Sequence, residues 1–251
     1  MMLRIIPRLD IKGNNLVKTI YLEGLRKIGS PNKYAIKYYK DSADELLFMD
    51  LVATLYGRNN LHNIIYEASK NIFIPLTVGG GIRSIDDSIK CLKSGADKIA
   101  VNTAAIENPN LITELAQRLG SSTVVLSVEA KKISNDWYAF TRSGRENSGK
   151  KLHDWIKQAS SLGVGEICIT SVDNEGTFKG IDPELLKKIS ELNIKQPIVL
   201  SGGVGSYADI VEVNRSINLS GICIAGLFHY EKSSIKKIKK SLMKKNLNIR
   251  Y

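Results

Sequence analysis

The chain has 251 residues, 43% of them hydrophobic and 24% charged, with three cysteines and a formal net charge of +11. This length holds either two small domains or one closed α/β unit spanning residues 1–251, and the apolar share is ordinary for a chain that buries a core. No apolar run reaches the roughly 18 residues that span a bilayer; the start Met1-Met2-Leu3-Arg4 is charged too soon for a signal peptide; and Cys91, Cys168 and Cys223 are too scattered for a disulfide framework or zinc site, so a cytoplasmic protein with neither metal nor cofactor is expected.

The first short apolar run, residues 3–9, reads as a strand closed by Asp10, and an insertion over residues 11–29 follows, containing Gly13, Lys18 and Gly24. Ser30-Pro31 places a capping side chain before a proline at the first helical position. The second run covers 45–49 and the third 74–78, followed by Gly79-Gly80-Gly81 and by Ser84-Ile85-Asp86-Asp87, which has the form of a capping box. The fourth run, 98–101, leads to Asn102-Thr103 and then to Asn108-Pro109, another helix start. Beyond it Leu111, Ile112, Leu115, Ala116 and Leu119 recur at helical spacing.

The fifth run, 123–128, is closed by Glu129. A second insertion, 134–148, comes after it, with 137–141 reading as one arm of a hairpin. The sixth run, 166–169, precedes a polar loop of Thr170-Ser171 through Gly176-Thr177, and Asp182-Pro183 marks one more helix start. The seventh run, 197–200, leads to Gly202-Gly203 and the eighth, 221–225, to Gly226. The basic stretch 236–245 reads as the solvated face of a last helix.

Eight near-continuous apolar runs alternating with amphipathic stretches suit parallel strands covered on both faces. The sequence also repeats itself about 120 residues on: Val78 to Ser84 returns as Leu200 to Ser206, Ala43 to Phe48 as Val164 to Ile169, and Ile5 to Lys12 as Val124 to Lys131. The prediction is a (β/α)8 TIM barrel with a twofold half-barrel repeat, both insertions lying on the C-terminal face where such folds place their chemistry.

Asp10 and Glu129 then stand on opposite sides of the mouth, an economical acid and base pair because small differences in surroundings push two carboxyl groups apart in pKa. One strand-end acid alone reads as a loop cap or a partner of Lys12 or Lys131; two at equivalent repeat positions point to chemistry. Gly80 and Gly81 in one half, and Gly202 and Gly203 in the other, let backbone N–H groups approach an anion at a helix N-terminus. Asn102 and Thr103, and likewise Ala225 and Gly226, complete two cradles for a ligand with a phosphate at each end. Thr170, Ser171 and Gly176 lie near the second cradle, and Lys18 either reaches the ligand or is solvated.

At the other end of the strands, Arg4 shares a face with Asp10 by alternation, and Glu45, Lys98 and Glu166 enter the same barrel bottom. Four charges of alternating sign there have to pair, as a neutralised stability layer or as a polar gate. Asp50 has the opposite parity to Glu45, so both face inward only through a bulge. His62, His153 and His229 show no metal-ligand spacing and receive no role. The positive charge suits anionic partners, but the chain lacks a nucleic-acid motif or aromatic stacking run, so nucleic acid ranks far below a phosphorylated metabolite.

These residues together resemble the cyclase subunit of imidazole glycerol phosphate synthase, the HisF family of histidine biosynthesis, over nearly the whole chain. The carriers are residues 4–12, Leu16-Val17-Lys18, Thr77 to Ile82, Gly95-Ala96-Asp97-Lys98, Asn102-Thr103-Ala104-Ala105, Gly165-Glu166-Ile167 with Thr170-Ser171, and Ser201-Gly202-Gly203. The resemblance implies that a glutaminase subunit docks on the N-terminal barrel face and that its ammonia crosses the barrel to attack the bisphosphate PRFAR, giving imidazole glycerol phosphate and AICAR. It implies Asp10 as general acid, Glu129 as the second acid, and Arg4, Glu45, Lys98 and Glu166 as the ammonia gate. Against the family pattern, Glu129 and Glu175 stand where aspartate is usual, Arg8 where cysteine is usual, and Gly226 where a serine would meet phosphate. On these departures a second reading keeps the barrel and the ammonia but changes the acceptor, for example to an amidated sugar for surface polysaccharide.

Overall fold

Strand β1, Arg4–Lys12, sets the pattern of the molecule. Ile5, Leu9 and Ile11 pack outward into the core shared with the helices, while Arg4, Ile6, Arg8 and Asp10 point into the interior, the two-residue alternation of an extended chain. The computed structural model describes residues 2–53 and 61–250. After β1 come the hairpin β2 (Asn15–Ile20) and β3 (Glu23–Gly29), then β4 (Leu46–Asp50), β5 (Leu76–Gly79), β6 (Lys98–Val101) and β7 (Val124–Ile133). A second hairpin, β8 (Asp136–Thr141) and β9 (Glu146–Lys151), precedes β10 (Glu166–Ser171), β11 (Ile198–Ser201) and β12 (Gly221–Ile224).

The strands β1, β4, β5, β6, β7, β10, β11 and β12 pair in parallel in that order, and β12 returns to β1, so the sheet closes into a (β/α)8 barrel. All eight apolar runs of the sequence are barrel strands, within one to three residues except where β1 and β7 run on past the barrel into their hairpins. Ring closure leaves no barrel edge; the antiparallel hairpins are upward extensions of β1 and β7 at the mouth.

Helices cover the outside. That of Asn110–Leu119 buries Leu111, Ile112 and Leu115, each such side chain contributing roughly 1.5–3 kcal/mol. Among the described residues no helix is long and apolar enough to cross a membrane. Inside the barrel Ile6, Leu47, Ala100, Val125, Cys168, Val199 and Cys223 form a separate apolar layer, so two of the three cysteines serve there as small buried residues.

The helix starts hold with exceptions. Asp182 accepts from the N–H groups of Glu184 and Leu185 as expected. Ser30 precedes the helix Pro31–Lys40 without a side-chain cap. Asn108 joins the short helix Thr103–Glu107 to the next one, and its carbonyl, not its side chain, accepts from the Leu111 N–H. Ser84 accepts from the Asp87 N–H at 3.1 Å, but the Asp87 carboxylate answers the Arg83 N–H, so the box is closed one residue early. Its repeat partner Ser206 makes the full reciprocal box with Asp209.

The basic last helix, Ile235–Met243, departs from its expected solvated reading at one position. Lys239 is buried and donates to Asp44 at 2.6 Å, while the other Asp44 oxygen accepts from the Ile5 N–H. A lone basic side chain on the inner face of this helix thereby bolts it to β1. His229 is also structural: its ring stacks on Tyr38, the Tyr38 hydroxyl lies 2.5 Å from Nδ1, and burial pushes its pKa down to about 4.

Candidate active site

At the barrel bottom the four predicted charges form a closed ring. Arg4 donates to Glu45 at 2.6 Å and pairs with Glu166; Lys98 reaches Glu45 at 3.0 Å and Glu166 at 2.9 Å. Burial pushes the Glu166 carboxyl up, but Arg4 and Lys98 outweigh it and hold the group below its ordinary value. Glu45 faces inward at the foot of a regularly paired β4, and no bulge is needed because Asp50 turns instead to the N–H groups of Val52 and Ala53.

At the mouth the half-barrel repeat becomes geometry. Gly80 has φ +97° and Gly202 φ +100°. A Cβ on Gly80 would lie 2.3 Å from the Asp50 carbonyl oxygen, and one on Gly202 would lie 2.5 Å from that of Ser171. Both positions therefore exclude a side chain for the same two reasons, left-handed backbone and close approach to the preceding strand end.

The candidate phosphate residues separate into two small cavities, of about 50 and 30 Å³. Gly80, Gly81, Asn102 and Thr103 line the first, together with Glu129. Gly176, Gly202, Gly203, Ala225 and Gly226 line the second, together with Arg8 and Lys18. Gly226 lies under the Phe178 ring, where a Cβ would come within 2.7 Å, so the ring occupies the space a larger side chain would need. Two side chains here have a supporting task that sequence did not reveal. Asn102 donates to Glu129 at 2.9 Å and to the Phe140 carbonyl, and the Thr103 hydroxyl accepts from the Arg142 N–H.

Lys18 is not solvated. It is buried on β2, pairs with Glu175 and donates to the Thr19 carbonyl at 2.7 Å. Tyr21 and Leu22, at the β2–β3 turn, both have positive φ, a strained conformation for bulky residues. Glu175 holds that turn: its carbonyl accepts from the Tyr21 N–H and its carboxylate from the Leu22 N–H and Thr19 hydroxyl. The first insertion, to which the sequence assigned no elements, is thus a hairpin pinned over the second cavity.

Asp10 and Glu129, at the ends of β1 and β7, are both buried. Glu129 Oε2 accepts from Asn102 and, at 2.8 Å, from the Gly144 N–H in the second hairpin turn. Burial pushes the Glu129 carboxyl up to about 7, opposed by the Gly144 N–H and Arg8 and assisted by Asp10. Glu129 lines the first cavity, but Asp10 lines neither of the two: Arg8 does, donating through Nε to Asp10 at 2.8 Å and through Nη1 to Thr170 at 2.8 Å. Sequence reading marked Arg8 as a departure and not as a site residue, although its parity with Asp10 and Arg4 already put it inside the barrel. Ser143, which also lines the first cavity, was missed because only the hairpin pairing brings it there.

Compared with known proteins, the chain matches over residues 4–234 the family described as "Histidine biosynthesis protein". It is 53% identical over 207 residues to imidazole glycerol phosphate synthase subunit HisF of Legionella pneumophila, covering 82% of this chain and 97% of that protein. It is 44% identical over 250 residues to the same subunit of Lactococcus lactis, covering 98% and 96%. With that of Sulfolobus acidocaldarius it shares 40% over 247 residues, covering 98% of each.

Proposed function

The chain belongs to the histidine biosynthesis family, among the HisF cyclase subunits of imidazole glycerol phosphate synthase, and from that premise we propose how its barrel performs the reaction. Residues 1–251 act as one barrel domain. Ammonia from a glutaminase subunit docked on the N-terminal face enters past the ring of Arg4, Glu45, Lys98 and Glu166 and crosses the apolar layer above it. Phe73, 78% exposed just ahead of β5, gives that face an apolar contact point. PRFAR lies across the mouth with one phosphate in each cradle, and its middle passes between the two cavities. There Asp10 and Glu129 move protons, Glu129 being the group whose carboxyl is still largely protonated just below neutral pH. Lys18 and the Thr170-Ser171 strand end close the second side, and the products are imidazole glycerol phosphate and AICAR.

The observation that carries this reading is the partition of nine cradle residues into two cavities, with Glu129 lining the first and Asp10 bonded to Arg8 of the second. The test is turnover of PRFAR by the purified chain with ammonium salt as nitrogen source. Formation of imidazole glycerol phosphate is expected; a folded protein that forms none would reassign the ammonia to another acceptor, such as a sugar.

A further inference from the structure

Around the mouth, four buried side-chain atoms have no hydrogen-bond partner among the described residues: Arg8 Nη2, Asp10 Oδ2, Asn102 Oδ1 and Ser171 Oγ. A buried donor or acceptor left unpaired is costly, and such atoms are few in native proteins. Arg8 is the member of this set that is charged, only 3% exposed and lining a cavity. Two of its nitrogens are fixed by Asp10 and Thr170, so the guanidinium plane cannot turn and the third nitrogen is held in place. Burial works against its charge, but Asp10 beside it more than compensates and keeps it a cation. It shares the lining of the second cavity with Lys18 and Glu175.

We propose that Arg8 is a catalytic residue, its free Nη2–H donating to the oxygen of the substrate carbonyl that ammonia attacks. This rests on the reading above, in which an ammonia nitrogen must add to an electrophilic carbon at the middle of the bisphosphate. As the carbon–nitrogen bond forms, the π pair of the carbonyl moves onto oxygen, where a rigid cation opposite the developing charge is most effective. Arg8 keeps its own proton. The oxygen takes one from the Glu129 carboxyl, and the nitrogen gives one up to Asp10 Oδ2, the unpartnered acceptor beside Arg8, so that in this step Asp10 is the base and not the general acid that the resemblance implies. The adduct then carries one hydroxyl and one amino group, and one proton has passed from nitrogen to oxygen.

The competing role for Arg8 is anchoring, of Asp10 or of a phosphate in the second cradle. Arg8→Met and Arg8→Lys separate these, measured with PRFAR and ammonium salt alongside the unaltered chain. Arg8→Met is expected to lower kcat by about 100-fold, the scale for losing one preorganised donor. Its calorimetric Kd for PRFAR should change by less than about threefold, and Arg8→Lys, which keeps a cationic donor, should recover at least about tenfold of the loss. An unchanged kcat, a loss carried by Kd, or Lys and Met variants equally impaired would each overturn the proposal. Should Arg8→Met not fold, the same split in Arg8→Lys and Arg8→Gln decides it. Turnover by the unaltered chain keeps the cyclase reading standing whatever Arg8 does; no turnover by it removes both.

Discussion

Glu129 shows how its surroundings change what a carboxyl does. Its Oε2 takes two hydrogen bonds, yet burial outweighs them and the group titrates near 7 instead of near 4.5. Because the folded value is raised, Glu129 favours the folded state fully below about pH 4.5, and that contribution is lost as pH rises through 7. Glu129→Gln keeps the accepting oxygen and removes the titration. It is expected to stabilise the chain relative to its parent at pH 8 by up to about 3 kcal/mol and to make little difference at pH 4; an equal shift in melting temperature at both would contradict the assignment. Strand position and repeat made this residue and Asp10 legible in the sequence. Arg8 was legible as an inward side chain but not as a site, because its importance lies in two specific hydrogen bonds and a third nitrogen left free.

The charged ring at the barrel bottom is an element-scale device, since each member comes from the foot of a different strand and its value depends on all four. Lys98→Met leaves Glu45 and Glu166 facing each other with Arg4 as their one remaining ring partner. Breaking a buried pair costs about 3–5 kcal/mol; with Arg4 and Lys98 partly exposed, a loss of about 2 kcal/mol in urea unfolding at neutral pH is expected. Glu166 is held below its ordinary value, so its contribution is present above about pH 4.5 and fades as pH falls. The deficit of Lys98→Met should therefore shrink in acid, and a deficit independent of pH would remove the ring from the stability account. Barrel strands were legible because an apolar run buried on both faces needs no partner to identify it. The β2–β3 hairpin was not, since its turn residues Tyr21 and Leu22 carry no turn signal and are held by Glu175 from some 150 residues away. Lys239 was hidden for the same reason: only its partner Asp44 distinguishes it from the solvated lysines around it.

At the scale of the molecule, two half-barrels of one design face each other. Gly80 against the Asp50 carbonyl and Gly202 against that of Ser171 are the same joint built twice. The repeat was legible in sequence; what closes it into a mouth is the pairing of β6 with β7 and of β12 with β1. A ligand engaging both cradles gains from the second as an intramolecular event, typically by 100-fold or more over a ligand engaging one. Calorimetric titration of the chain with PRFAR and, separately, with the monophosphate imidazole glycerol phosphate tests this most directly. One PRFAR per chain, bound at least about 100-fold more tightly than the monophosphate, is predicted; two PRFAR per chain, or equal affinities, would contradict a mouth that grips one substrate at both ends.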